Sequence, residues 1–146
     1  MIAIGSDHGG FELKEKIKKH LEDRGLEYRD YGTFSDASVD YPTYGITVGE
    51  AVARGECEKG ILVCGTGIGI SMAANKVKGV RAACCSDTFS ARYTRMHNDA
   101  NIICMGGRVV GPGLAIDIVD LFLDTPFEGG RHQRRIDMIT EYENKK

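Results

Sequence analysis

Five short apolar runs recur along the chain, each followed by a turn and a stretch whose apolar positions repeat every three or four residues. The runs are Ile2–Ile4, roughly Leu26–Tyr31, Ile61–Cys64, Val80–Cys85 and Ile102–Met105. The last three are almost uninterrupted in apolar residues. Strands covered on both faces read this way, which predicts a parallel sheet. Between the runs, Leu13, Ile17 and Leu21 share one helical face, and Leu114, Ile118, Leu121 and Phe122 share another. Gly25 stands where a helix C-terminal cap belongs, Pro42 where the second helix opens, and Pro126 beyond the fifth. The charged segment 131–146 predicts a last helix. The alternation predicts one three-layer α/β/α, Rossmann-like domain over residues 1–146, with a five-stranded parallel sheet and a C-terminal helical tail.

Composition narrows the class. At 146 residues and 42% hydrophobic, the chain suits one domain with one substantial core. Lys and Arg number 19 against 21 Asp and Glu, a formal net charge of −2, so there is no basic stripe for nucleic acid. No apolar run approaches the ~18 residues of a membrane span. Met1-Ile2-Ala3-Ile4-Gly5 lacks the basic start of a signal peptide. Of the five cysteines, four lie in apolar or strand-like runs, as reduced core thiols do, and a cytosolic location is expected.

In an open parallel sheet, ligands bind beyond the carboxyl ends of the strands. There the chain places Ser6-Asp7-His8-Gly9-Gly10, Cys64-Gly65-Thr66-Gly67-Ile68-Gly69 and Gly106-Gly107-Arg108. The second group is the sharpest. A buried strand delivers a thiol into a glycine turn, and a helix follows from about Ile70. Turn N–H groups and a helix N-terminus favour an anion, and the same field favours a thiolate. The plainer alternative is a small core residue before a tight turn. A dinucleotide fingerprint needs a third glycine where Ile70 stands, although Asp87 lies roughly where its ribose-binding acid would, and a P-loop needs Gly-Lys-Ser/Thr. A cysteine phosphatase needs an Arg at that same position.

Other candidates carry two readings each. Asp7-His8 suits proton transfer or phosphate contact, or else is a capping Asp and a surface His. His97-Asn98 suits chemistry, or else closes a helix. Arg131 and Arg135 lie four apart on one helical face, fit for a phosphate, or else form a solvated basic turn. Cys84 and Cys85, adjacent in a strand, point to opposite faces and read as core. No metal-ligand spacing is present, and neither metal nor cofactor is expected.

Together, Asp7-His8-Gly9-Gly10, Asp40-Tyr41-Pro42, the Cys64–Gly69 turn, Ala73-Ala74-Asn75-Lys76, His97-Asn98-Asp99 and Gly130-Arg131-His132-Gln133-Arg134-Arg135 closely resemble the type B ribose-5-phosphate isomerase family, essentially end to end. That family also includes allose-6-phosphate and galactose-6-phosphate isomerases. The resemblance implies an aldose–ketose isomerase acting on a small phosphorylated sugar, with no cofactor. It implies Cys64 as the base. Backbone N–H groups of Gly65, Gly67, Ile68 and Gly69, with Thr66, would hold the enediolate. Asp7 and Tyr41 would contact sugar hydroxyls. His97, with Asn98 beside it, would open the furanose ring. His8, Arg108, Arg131 and Arg135 would hold the phosphate. One branch of the family carries a Glu base at the position of Ile70 and no cysteine at that of Cys64, which puts this chain in the cysteine branch. The galactose enzymes split the site motifs between two subunits, whereas this chain carries all of them, which favours ribose 5-phosphate. The Cys64–Ile68 run also looks like the loop of phosphocysteine carriers of the sugar phosphotransferase system, but a carrier has no need of Asp7-His8, His97-Asn98 or the tail arginines.

Chain direction adds an expectation. His97-Asn98 ends a helix just before a strand, at the amino edge of the sheet, whereas Cys64 ends a strand at the carboxyl edge. If both serve one site, a partner subunit supplies His97. A homodimer or tetramer with shared sites is expected, the tail contacting the partner.

Overall fold

The computed structural model describes residues 1–145. Strand β1 (Ile2–Ser6) passes through a short 3-10 turn at His8–Gly10 into helix α1 (Phe11–Asp23). Strand β2 (Tyr28–Asp30) and an irregular segment lead to α2 (Tyr41–Ala53), β3 (Lys59–Cys64) and α3 (Ile68–Ala74). Strand β4 (Ala82–Cys84), α4 (Thr88–Asn98), β5 (Ile102–Gly106), α5 (Pro112–Asp124) and α6 (Arg131–Asn144) complete the chain. All five strands are parallel, in the order β2-β1-β3-β5-β4. The three-layer architecture and C-terminal helix are as expected; Lys146, the end of the predicted tail, lies outside the described residues.

Alternation along the strands sorts the core into two layers. Ile61 and Val63 face α1 and α5, meeting Leu13, Ile17, Leu21, Ile118 and Phe122. Leu62 and Cys64 face α2 and α3, meeting Val48, Val52, Ile70 and Ala74. Removing such a side chain from water contributes roughly 1.5–3 kcal/mol each, so the central strand is held from both sides. The Asp7–His8 end of β1 lies beside the end of β3, because Ser6 pairs with Val63.

Lys14 is fully buried in α1. Its ammonium donates to Asp30 Oδ1 at 2.7 Å and to the Thr33 carbonyl. Asp30 also pairs with Lys18 at 2.9 Å and accepts from the Gly32 N–H. Burial pushes the Asp30 carboxyl up, but hydrogen bonds from Lys14 and Lys18 prevail and hold it below the usual range. The network fastens the start of the segment that runs on to Tyr41.

Several boundaries differ from expectation. Strand β1 runs on to Ser6, β2 covers only Tyr28–Asp30, and α3 opens at Ile68. Strand β4 is shorter than Val80–Cys85 because it is an edge strand whose outer side is met by a side chain. The Ala82 N–H donates to Asn75 Oδ1 at 2.8 Å, and Asn75 Nδ2 donates back to the Ala82 carbonyl at 2.9 Å. The prediction that both Cys84 and Cys85 are core is corrected: Cys85 is buried but Cys84 is exposed. Cys84 is the last residue of the edge strand, which has a neighbour on one side only.

Candidate active site

Cys64 is the last residue of β3 and only 5% exposed. The chain then turns through Gly65 and Thr66 to Gly67, whose φ of 81° is left-handed. A Cβ at Gly67 would stand 2.7 Å from the Met105 carbonyl carbon, so the turn requires glycine on both counts. This geometry aims the Gly67 N–H back at Cys64 Sγ, 3.1 Å away. The Ile68 N–H is held by Thr66 Oγ1 at 3.2 Å. Helix α3 has only 7 residues, so the hydrogen bond from Gly67, more than a macrodipole, is the polar contact aimed at the sulfur.

Three other loops meet this turn. The Asp7 N–H donates to the Val63 carbonyl at 3.2 Å, and Asp7 Oδ1 accepts from Gly10 N–H at 3.1 Å, so Asp7 does serve as a cap. Val39 holds the His8 ring through its backbone, with its N–H 3.1 Å and its carbonyl 3.2 Å from Nδ1. Nε2 is left for a ligand such as a phosphate. The Gly107 N–H donates to the Cys64 carbonyl and the Arg108 N–H to that of Gly65, at 2.7 and 3.0 Å. They bring the Arg108 guanidinium over Gly65, with Nη1 3.2 Å from where a Cβ would stand. Tyr41 lies against Gly69, its ring 2.7 Å from the corresponding point there. His8 and Arg108 open into a cavity of about 910 Å3 that also meets Lys16 and Lys19.

His97 and Asn98 are elsewhere. They line a separate groove of about 730 Å3 with Arg131 and Arg135, and its floor includes Arg81 and Ala82 at the amino end of β4. The Arg81 Nε–H donates to the Asn98 carbonyl at 3.0 Å. The structure therefore divides the predicted site residues into two groups. Cys64, Thr66, Asp7, His8, Tyr41 and Arg108 gather at the carboxyl edge, and His97, Asn98, Arg131 and Arg135 lie in the groove toward the amino edge. This is the division that chain direction predicted.

Three neighbours were not anticipated. Val39 acts through backbone atoms, which leave no trace in residue type. The His132 ring stacks on His97 with centroids 4.0 Å apart and planes inclined by 13°. Glu128 lies 3.7 Å from His97 Nε2 and 4.0 Å from His132 Nε2. His132 flanks Arg131, and Glu128 stands four residues before it, a spacing that could have flagged both. Burial pushes the His132 imidazole down, His97 and Arg131 add to this, and Glu128 opposes it. The exposed Cys84 has its Sγ 3.8 Å from the Thr66 carbonyl. Burial, reinforced by the charge of Cys64, raises its thiol. Burial likewise raises Cys85, to about 11, and holds Cys104 well above the usual thiol value.

Comparison with known proteins bears on this arrangement. The ribose/galactose isomerase family model matches residues 2–139. The chain is 52% identical over 145 residues to ribose-5-phosphate isomerase B of Escherichia coli, covering 99% of this chain and 97% of that one. The structure of ribose-5-phosphate isomerase B from Clostridium thermocellum superposes with a TM-score of 0.97 at 56% identity, over 99% of this chain and 97% of that one. The enzyme of Mycoplasma genitalium, solved with bound ribulose-5-phosphate, gives 0.95 at 46% identity, over 99% and 97%.

Proposed function

The chain belongs to the ribose/galactose isomerase family, and from this premise we propose that it interconverts ribose 5-phosphate and ribulose 5-phosphate through an enediolate, with Cys64 as base. The observation that carries the reading is the hydrogen bond from the Gly67 N–H to Cys64 Sγ, at the point where the Asp7, Arg108 and Tyr41 loops meet. The reaction needs a base, donors for an oxyanion, and a grip on the remote phosphate. Cys64 takes the C2 proton as thiolate. The hydroxyl proton passes from O2 to O1, and the proton on sulfur is delivered to C1, leaving a ketone at C2. Thr66 and those N–H groups of the Gly65–Gly69 turn not already engaged hold the developing oxyanion. Asp7 and Tyr41 orient the sugar hydroxyls. His8, through Nε2, and Arg108 hold the phosphate.

Ring opening of the aldose removes a proton from the O1 hydroxyl and supplies one to the ring oxygen. We assign this to His97, with Asn98 beside it. Because His97, Arg131 and Arg135 lie in a separate groove, they act in the site of a second copy. The proposed assembly is a homodimer or tetramer in which the groove of one subunit faces the Cys64 turn of another. Exposed apolar residues on the two elements that would meet, Ile68 and Met72 on α3 and Met138 and Ile139 on α6, support this. Among the described residues no helix is long and apolar enough to cross a membrane, and all five cysteines are free thiols. Both suit a place in the cytosol.

A coupled assay comparing ribose 5-phosphate, allose 6-phosphate and galactose 6-phosphate tests the substrate. Ribose 5-phosphate is expected to give the highest kcat/KM, and preference for a six-carbon sugar would reassign it. Stable phosphocysteine at Cys64 after incubation with a phosphorylated carrier protein would overturn the isomerase reading.

A further inference from the structure

From the stack of His132 on His97 and the carboxylate that faces both rings, we infer that His132 and Glu128 are positioning residues for ring opening, tying the His97 imidazole to the helix that carries the phosphate arginines. The inference rests on the assignment of His97 made above.

His97 lies at the end of α4 with its side chain only partly covered. Left to itself such a ring samples several rotamers. Here it is held on two sides, by His132 face-on at 4.0 Å and by Tyr93 edge-on at 5.1 Å. His132 is itself buried, 6% exposed at the start of α6. Its Nε2 is buried without a hydrogen-bond partner. A buried orphan nitrogen is costly unless something else requires the ring, and the face it presents to His97 is such a requirement. Burial pushes the His132 imidazole down, which disfavours a second positive charge beside a ring that takes up and releases protons. Glu128 supplies the negative charge, 3.7 Å from His97 Nε2. Arg131 and Arg135 stand on either side of His132 in the same helix, so a phosphate bound by them fixes the platform on which His97 rests.

The same three side chains offer one ligand-type atom each within 4.8 Å of one another. A shared metal ion does not suit them as they stand. The two rings are nearly parallel, their lone pairs lie in separate planes, and an ion bound in one plane is well outside the other.

The test separates ring opening from enolisation. With 13C1-labelled ribose 5-phosphate, exchange between the α and β anomers reports ring opening, and it can be followed by exchange NMR in a Cys64→Ala chain, where isomerisation is off. Solvent deuterium entering C1 of ribulose 5-phosphate reports enolisation in a chain with Cys64 intact. That ketose is acyclic, since its O5 carries the phosphate. A catalytic group displaced by about 1 Å loses rate on the order of 10²-fold. His132→Ala should therefore depress anomer exchange at least about tenfold more than it depresses deuterium entry. His132→Phe, which keeps the stacked face, should restore most of the difference. Glu128→Gln should depress anomer exchange selectively as well. Equal loss of both rates in His132→Ala, or anomer exchange undiminished in it, overturns the inference while leaving the isomerase reading in place. Absence of catalysed anomer exchange in the Cys64→Ala parent overturns the assignment of His97, and the inference with it.

Discussion

Replacing Arg135 with Ala removes one guanidinium from the groove that also holds His97 and Arg131. Arg131 and Arg135 stand one turn apart on α6, so both present to that groove, whereas Arg134, about 100° further round the helix, does not line it. A charge-assisted hydrogen bond to a phosphate contributes roughly 1.5–3 kcal/mol. At about 1.4 kcal/mol per factor of ten, its loss should weaken binding by about one to two orders of magnitude. The phosphate is remote from the reacting carbons, and the contact exists before and during reaction. KM should therefore rise by that factor while kcat falls much less. Initial rates over a range of ribose 5-phosphate concentrations give both constants, and competition by inorganic phosphate gives the binding loss independently. Arg135→Lys should recover only part, since an ammonium lacks the planar fork. Equal effects of Arg134→Ala and Arg135→Ala would refute the reasoning, because the arginines would then act as a general field and not as a clamp of defined geometry.

Mixing Cys64→Ala and His97→Ala chains at equal ratio, with subunit exchange confirmed, should restore about a quarter of wild-type activity by random assortment into two-fold dimers; no recovery counts against shared sites. Gly67→Ala meets both a left-handed φ of 81° and the Met105 backbone at 2.7 Å. It should lower stability by about 2 kcal/mol or more, read as a fall in Tm, while Gly113→Ala, at a position with open space around the added methyl, should leave Tm nearly unchanged. Asp30, held below the usual carboxylate range, contributes stability that is present above the ordinary aspartate value of 3.8 and is lost as pH falls through its lower folded value. Asp30→Asn should flatten that acid limb in a Tm-against-pH series; an unchanged limb would mean the Lys14 network is not what acid dismantles.

Much of this was readable from the chain because the responsible forces are local or periodic. Uninterrupted runs such as Ile61–Cys64 mark strands buried on both faces, and the glycines after Cys64 mark a tight turn, in which Gly67 admits no side chain. Chain direction placed Cys64 and His97 at opposite edges without any coordinates. What escaped depends on contacts through space. Cys84 reads as core beside Cys85, yet it is exposed at the end of an edge strand. Which strand lies at the edge is set by the order of the sheet, not by residue type. Val39 holds the His8 ring through backbone atoms that leave no trace in residue type. The burial of Lys14 depends on Asp30 and the Thr33 carbonyl lying opposite it, and a lysine in an amphipathic helix gives no sign of that. His132 was legible only as part of a basic turn, because its stack on His97 joins helices more than thirty residues apart.

The central claim is that Cys64 removes the C2 proton, and the turnover of Cys64→Ala and Cys64→Ser on ribose 5-phosphate tests it most directly. Both should lose at least the ~10²–10⁴-fold typical of a missing general base, Ser nearly as badly as Ala because a hydroxyl is far less acidic than a thiol. Both should still bind inorganic phosphate, since His8 and the arginines are untouched. Turnover by Cys64→Ala at more than about a tenth of the wild-type rate would contradict the account. The base would then have to be sought among Asp7, His8 and Asp87.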